Sequence, residues 1–266
     1  MNKTLLIILT VTILALPAWA GMNDTETALC QTFDALRAAD SDSAIIACNE
    51  QLCELMATAT NDAACFDYGF DNVWNMGKVY SDDLTLRIFS WNYRLSDGSY
   101  GYEAFFVQKK KSKLLTKHLS TKSAIKPSEK RMYSAKDWYG SLYYNAFAYK
   151  NRYILLGYSM YTDITKVKVI DVLDIDGNSL TLGEPVFLIT SKPQNRCVFE
   201  YSSKANMNIE YDPAGNRFVF DHLSPSEPAF EGVYTYYGPD FTYDAVVSLK
   251  KKLWKLVSDI DIKNQE

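Results

Sequence analysis

The chain has 266 residues and only two histidines, His118 and His222, so acid–base chemistry by histidine has two candidate residues. His222 follows Asp221 and precedes Ser224 in "FDHLSP", which gathers the residue types of a serine-hydrolase triad. A triad is assembled in space, however, and Asp221 and His222 are expected to point to opposite faces of a strand. No G-x-S-x-G motif is present to expose a serine nucleophile. We therefore predict no catalytic residue here, and consider Asp221 and His222 as candidate binding residues.

Two aromatic stretches, "DWYGSLYY" and "GVYTYYGPDFTY", are the strongest binding feature of the sequence. Aromatic rings with polar tips form rigid platforms for saccharides or peptides, although alternating tyrosines also suit sheet faces. An acid beside such a platform could belong to a carboxylate pair of the glycosidase kind. The further candidate binding residues are Trp138, Tyr139, Tyr143, Tyr236, Tyr237 and Asp240.

Composition argues against several other classes of function. The formal charge of −4 disfavours a general nucleic-acid partner, because phosphate contacts require a basic face. Glycine occurs only 12 times, and no G-x-G-x-x-G or Walker pattern is present. We predict no cofactor.

The first residues, "MNKTLLIILTVTILALPAWAG", have the three parts of a secretory signal. Lys3 provides the basic start, an apolar run follows, and Ala18-Trp19-Ala20 is an A-x-A cleavage site. The run is too short for a membrane-spanning helix, which needs about 20 apolar residues. The sequence therefore predicts a signal peptide over residues 1–20, export to the periplasm or the outside, and no transmembrane segment after cleavage.

Residues 21–65 are predicted to form a helical hairpin that carries four of the five cysteines. Apolar residues recur at helical spacing on both sides of Asp40-Ser41, which suits a turn and cap. Clustered cysteines in an exported chain favour disulfides. The predicted pairings are Cys30–Cys48 with Cys53–Cys65, or Cys30–Cys53 with Cys48–Cys65. No metal site is predicted, because the segment has no C-x-x-C and no nearby histidine.

Residues 66–266 are predicted to form one antiparallel β domain. Short apolar runs alternate with turn sequences such as Ser96-Asp97-Gly98-Ser99 and Asp212-Pro213-Ala214-Gly215-Asn216. The predicted fold is mainly β, an antiparallel meander that is propeller-like or barrel- or sandwich-like, with the helical hairpin at one edge.

The segment "VIDVLDIDGNSLTL" resembles a calcium-binding loop at first sight. With Gly177 at loop position 6, however, positions 1 and 12 are Val172 and Gly183, which supply no carboxylate ligand. Asp176-Gly177 between alternating apolar residues instead predicts a β-hairpin.

Several strings spread over the chain from about Phe66 onward are distinctive. They are "DWYGSLYYNAFAY" (Asp137–Tyr149), "RYILLGYS" (Arg152–Ser159), "VIDVLDIDGN" (Val169–Asn178), "VFEYSSKANMNIEYD" (Val198–Asp212), "VFDHLSP" (Val219–Pro225), "GPDFTYDAV" (Gly238–Val246) and "DIDIKN" (Asp259–Asn264). Together they resemble a family of exported bacterial proteins that carry no assigned activity. The resemblance implies bacterial export and a shared β fold, and it supplies no site residues.

These features lead to three functional hypotheses. The first is a non-enzymatic β domain of the cell envelope that binds a ligand or partner, with envelope polysaccharide or another exported protein as the partner. The second is a hydrolase acting on envelope or environmental polysaccharide or peptide. The third is a structural or assembly component.

Overall fold

The computed structural model describes residues 16–111, 113–250 and 253–261, with side chains from residue 21 onward. Most of the predicted signal peptide, residues 1–15, therefore lies outside the described residues. Strands make up 46% of the structure and helices 19%. The mainly-β prediction is confirmed.

Two helices open the described chain, α1 (Leu16–Ala38) and α2 (Asp42–Ala59). The turn between them ends at Ser41, whose side chain accepts a hydrogen bond from the Ala44 backbone N–H and so caps α2. The helical hairpin and its capped turn are thus as predicted. Short 3₁₀ helices follow at Ala63–Phe66, Pro228–Phe230 and Tyr234–Tyr236.

The strands follow the hairpin and are named in chain order. They are β1 (Gly77–Tyr80), β2 (Leu86–Arg94), β3 (Tyr100–Lys110), β4 (Lys113–Thr121), β5 (Tyr133–Ser134), β6 (Leu142–Tyr149), β7 (Arg152–Ser159), β8 (Thr165–Asp176), β9 (Ser179–Leu182), β10 (Phe187–Leu188), β11 (Arg196–Ser202), β12 (Ile209–Asp212), β13 (Arg217–Pro225), β14 (Tyr237–Leu249) and β15 (Leu253–Val257).

These strands form three open sheets. The N-terminal sheet has the order β1-β2-β3-β4, and the central sheet has the order β5-β9-β8-β7-β6 with β11 also paired to β8. The C-terminal sheet has the order β10-β15-β14-β13-β12, in which only the β10–β15 pair is parallel. The described strands form no closed barrel, so the barrel alternative was wrong. Antiparallel pairing dominates, as expected from short hairpin connections.

Three hydrophobic clusters hold the helices and sheets in a layered stack. The first lies between the helical hairpin and the N-terminal sheet, where Phe33 packs edge-on against Trp91. The second lies between the N-terminal and central sheets and contains Phe106 and Leu155. The third joins the other face of the central sheet, through Ile154, to the C-terminal sheet. Because alternate residues point to opposite faces, β7 contributes Ile154 to one layer and Leu155 to the next.

The candidate calcium loop is a hairpin turn, as the sequence predicts. Asp176 of β8 pairs with Ser179 of β9, which leaves Gly177 and Asn178 as a two-residue connection. Gly177 has a φ of +54°, a conformation that glycine adopts without steric cost. The segment turns the chain between two strands.

The disulfide prediction was wrong: Cys30, Cys48, Cys53 and Cys65 are all free thiols, as is Cys197. The thiols have other neighbours. Cys30 donates a hydrogen bond to the Asn72 carbonyl, and Cys53 hydrogen-bonds Glu103. The four cysteines of the hairpin are close in sequence, but they lie on two helices and a 3₁₀ helix. Their thiols therefore point to separate partners.

Among the described residues, no helix combines the length and apolar character needed to cross a membrane.

Candidate functional site

The first aromatic stretch of the sequence forms core and is not an exposed platform. Trp138, Tyr139 and Tyr143 are at most 3% exposed. The indole N–H of Trp138 donates to the Tyr143 hydroxyl at 3.0 Å, and the Tyr139 hydroxyl donates to Asp171 at 2.9 Å. Their polar tips are therefore used inside the protein, between the N-terminal and central sheets.

Three of the remaining candidates, Asp221, His222 and Asp240, meet at an irregularity in the C-terminal sheet. The register between β13 and β14 shifts there, so that His222 on β13 faces three residues of β14. The three are Asp240, Phe241 and Thr242, and the pairs that flank them are Asp221–Tyr243 and Leu223–Pro239. A bulge of this kind bends the strands and re-aims side chains. It also explains why Asp221 and His222 both line one cleft, although simple alternation predicts opposite faces.

The ring of His222 lies between two carboxylates. Its Nδ1 is 2.8 Å from Asp244 Oδ2, and its Nε2 is 3.9 Å from Asp240 Oδ2. A carboxylate can only accept, so Nδ1 carries the proton that it donates to Asp244. The hydrogen bond to Asp244 and the charges of Asp244 and Asp240 raise the pKa of His222 above its ordinary value. The side chain remains partly accessible, with 41% of it exposed.

Both carboxylates are held in place by short contacts. Asp244 is buried and accepts the Asp259 backbone N–H at 3.0 Å. Asp240 accepts the N–H and hydroxyl of Thr242 at 3.0 and 2.8 Å. Burial alone would raise the pKa of Asp240, but hydrogen bonds from Thr242 and the charge of His222 hold it below its ordinary value. Asp240 is therefore a charged acceptor near neutral pH.

Asp221, His222 and Asp244 line a cleft of about 390 Å³, here called the His222 cleft. It lies beside β11, β13 and the segment from residue 226 to 237. Its other acidic side chains are Glu129 and Glu200, and its aromatic side chains are Phe199, Phe220, Tyr234 and Tyr237. This volume falls within the range of small-molecule sites, which combine apolar walls with a few placed polar groups.

Lys126 joins one wall of the His222 cleft to its aromatic rim. Its ammonium group lies 2.6 Å from Glu200 Oε2 and 4.4 Å from the centre of the Tyr234 ring. The Tyr161 hydroxyl donates to the other oxygen of Glu200. A cation placed between a carboxylate and an aromatic face favours one position of the tyrosine over the cleft.

The second aromatic stretch contributes Tyr234 and Tyr237 to the cleft. Tyr236 stacks on Phe230 with ring centres 4.1 Å apart, and Tyr234 lies 5.0 Å from Tyr237. Phe241, at the bulge, is 91% exposed and has a φ of +70°. A bulky residue in that backbone region is strained, and such strain concentrates at functional sites.

Asp244, Phe241, Lys126 and Glu200 were not identified from the sequence. The register shift that brings three β14 residues to His222 has no local signature beyond the Pro239 that precedes them. Lys126 and Glu200 are 74 positions apart in the chain. The one sequence signal for Asp244 is the alternation of "DFTYD", residues 240–244, which is typical of a strand with one acidic face.

Another cleft, of about 440 Å³, lies between β6 and β12 and includes Lys168 and Glu210. None of the site residues predicted from the sequence lines it. The His222 cleft is therefore the stronger candidate, because it gathers Asp221, His222 and Tyr237 and lies next to Asp240.

The site has an acid–base pair but no activated nucleophile among its described residues. The Ser224 side chain hydrogen-bonds Asp240, so it is not aligned on His222 as a triad serine would be. Cys197 lines the cleft, yet burial raises the pKa of its thiol well above the ordinary value, which disfavours the reactive thiolate. The geometry suits hydrogen bonding to a ligand with hydroxyl groups.

Comparison with protein-family models, with curated proteins and with solved structures gave no match to this chain.

Proposed function

We propose that the protein is an exported, non-enzymatic binding protein of the bacterial cell envelope and that the His222 cleft holds a saccharide unit of an envelope polymer. One observation carries the proposal. The bulge in β14 opposite β13 places His222 between Asp240 and Asp244 at a cleft that has aromatic lining residues.

Saccharide hydroxyls match the polar groups of this cleft. Each hydroxyl both donates and accepts, so it can donate to a carboxylate such as Asp221 and also bind the ring nitrogen of His222. Hydrogen bonds to charged groups are stronger than those between neutral groups. The apolar faces of a sugar ring suit contact with Tyr234 and Tyr237, and Phe241 is an exposed aromatic side chain at the neighbouring bulge.

Isothermal titration of the purified protein with peptidoglycan fragments and defined oligosaccharides tests this proposal. We expect one saccharide class to bind and His222→Gln to weaken that binding by at least about tenfold, because a charge-assisted hydrogen bond is lost. Trp74→Ala is the control. Trp74 is an aromatic residue in the N-terminal part of the fold, and its side chain is 87% exposed. Absence of binding by every saccharide class, or equal loss in both variants, would refute the proposal.

A hydrolase is the second candidate, favoured by the Asp244–His222 pair. Asp244 orients the ring through Nδ1 and leaves Nε2, which lies 3.9 Å from Asp240 Oδ2, as the nitrogen where a general base would act. Overnight incubation of each bound saccharide with wild type and with His222→Gln, followed by measurement of new reducing ends, separates the two functions. Product formed by wild type and absent with the variant would favour the hydrolase.

A further inference from the structure

Three side chains that are distant in sequence come together between the helical hairpin and the N-terminal sheet. Cys53 lies on α2, Glu103 on β3 and His118 on β4. The thiol sulfur, a carboxylate oxygen and a ring nitrogen lie within 4.8 Å of one another. Among the described residues, this is the group of histidine, cysteine and acidic side chains with the geometry to hold one metal ion.

Glu103 is the centre of this group and is only 2% exposed. Its Oε2 lies 2.7 Å from His118 Nε2, and the Cys53 thiol also hydrogen-bonds the carboxylate. Within the described part of the chain, no lysine or arginine forms an ion pair with it. A buried carboxylate is costly unless a cation or several hydrogen bonds compensate its charge. Hydrogen bonds already compensate this carboxylate, and a bound divalent cation would add a direct positive partner.

Neighbouring side chains orient the Glu103 carboxylate by hydrogen bonds to one of its two oxygens. Asn49 Nδ2 and Ser120 Oγ donate to Glu103 Oε1 at 2.8 and 2.9 Å, which leaves Oε2 directed to His118. Trp91 in turn donates to Asn49 Oδ1 at 2.9 Å. Supporting hydrogen bonds of this kind hold the ligands of metal sites in position.

His118 is held from its other side and remains open to solvent. Its ring stacks on Phe105 with centres 4.2 Å apart and planes 10° apart. The side chain is 37% exposed, so an ion and a water molecule can reach the group from outside. An accessible three-residue group differs from a closed structural site, which has four protein ligands.

We propose that Cys53, Glu103 and His118 form a zinc-binding site, independent of the His222 cleft, with water as the fourth ligand. A thiolate and an imidazole select zinc over calcium or magnesium, which prefer oxygen ligands. Tetrahedral zinc places its ligand atoms about 3.3–3.7 Å apart, so small side-chain movements within the observed 4.8 Å suffice. On binding, the Cys53 thiol releases its proton to solvent, His118 binds as the neutral imidazole with its proton on Nδ1, and Sγ, Oε2 and Nε2 bond to the ion.

The sequence predicts no such site. Metal sites are recognised in a sequence by closely spaced ligands, and no histidine lies near Cys53 along the chain. The antiparallel pairing of β3 with β4 places Glu103 and His118 on one face two register positions apart, since Glu103 pairs with Ser120. The packing of α2 on that face then adds the thiol. The site exists only through tertiary structure.

Titration of the reduced, metal-free full-length protein with Co²⁺ and then Zn²⁺ tests the site. Cobalt bound to a thiolate absorbs in the near ultraviolet through charge transfer, and zinc should displace it. We expect one equivalent to bind, Cys53→Ser to abolish this absorption, and His118→Gln to weaken affinity by on the order of 100-fold, because even loss of a supporting residue costs 10–100-fold.

The chain offers matched controls for both variants. His222→Gln removes the only other histidine, and Cys48→Ser removes a half-buried thiol of the same helix. Both controls should keep the cobalt band and the wild-type zinc affinity, and circular dichroism confirms that every variant is folded. The proposal is overturned if wild type shows no thiolate band, or if zinc affinity is unchanged in folded Cys53→Ser and His118→Gln. If one of the two variants fails to fold, the other decides.

Discussion

Asp171 and Arg196 form an ion pair that is entirely enclosed by protein. Both side chains are 0% exposed, and Arg196 Nε lies 2.8 Å from Asp171 Oδ2. The two residues are paired directly across β8 and β11. Arg196 also donates to the carbonyls of Ser128, Arg131 and Leu182, and so ties the segment before β5 to the central sheet.

Removal of the acid should therefore be costly. We predict that Asp171→Ala lowers the free energy of unfolding by about 3–5 kcal/mol, because a buried guanidinium loses its counter-ion. The matched control is Asp163→Ala, whose partner Arg94 is about half exposed; this change should cost no more than about 1 kcal/mol. Urea unfolding measures both values. Equal costs would contradict the prediction.

The pH dependence of stability should report the pairing of His222 with Asp244. Asp244 raises the pKa of His222, so protonation of the ring is coupled to folding. This contribution is fully present below the unfolded pKa of about 6.5 and is lost as the pH rises through the folded pKa. Because the ring is 41% exposed, solvent limits the contribution to about 1 kcal/mol or less.

Urea unfolding at about pH 5.5 and pH 8.5 tests this coupling, since the two conditions bracket the ordinary pKa of histidine. The difference in stability between wild type and His222→Gln should be larger at the lower pH. In the Asp244→Asn background the difference should depend less on pH, because the Asp240 carboxylate then remains beside the ring. An NMR titration of His222 that gives a pKa at or below the ordinary value would count against the coupling.

We expect the Phe241 side chain to contribute to saccharide binding, although its backbone conformation is strained. We predict that Phe241→Gly leaves the free energy of unfolding unchanged or raises it by up to about 1 kcal/mol, because glycine relieves the positive φ. The same change should weaken saccharide binding at the His222 cleft. Leu84→Gly is the control, since Leu84 is also exposed and has a φ of +57°. It should match the stability effect without a change in affinity.

The thiol count provides a direct test of the cysteine chemistry. Denatured protein should react with five equivalents of a thiol reagent, because all five cysteines are free. In the native protein Cys65 and Cys197 should react slowly, since both are buried and burial raises the pKa of the Cys65 thiol to about 12. Three or fewer equivalents after denaturation without reductant would show that disulfides form.

The sequence by itself determined those parts of the fold that depend on neighbouring residues. Helical spacing and the Ser41 cap predict the hairpin of α1 and α2, and Gly177 predicts the turn between β8 and β9. Alternating aromatic and β-branched residues predict a mainly β, antiparallel structure. These features are local, because a helical cap or a two-residue turn is stabilised within a few positions.

Tertiary structure alone decided which side chains are exposed and which meet. The strings that contain Trp138 and Tyr236 look alike, yet the first lies between two sheets and the second at the surface. The bulge that aims His222 at Asp244 depends on the register of two strands, and the neighbours of Cys53 depend on the packing of a helix on a sheet. Long-range pairing and burial set these contacts, and no local pattern of residues encodes them.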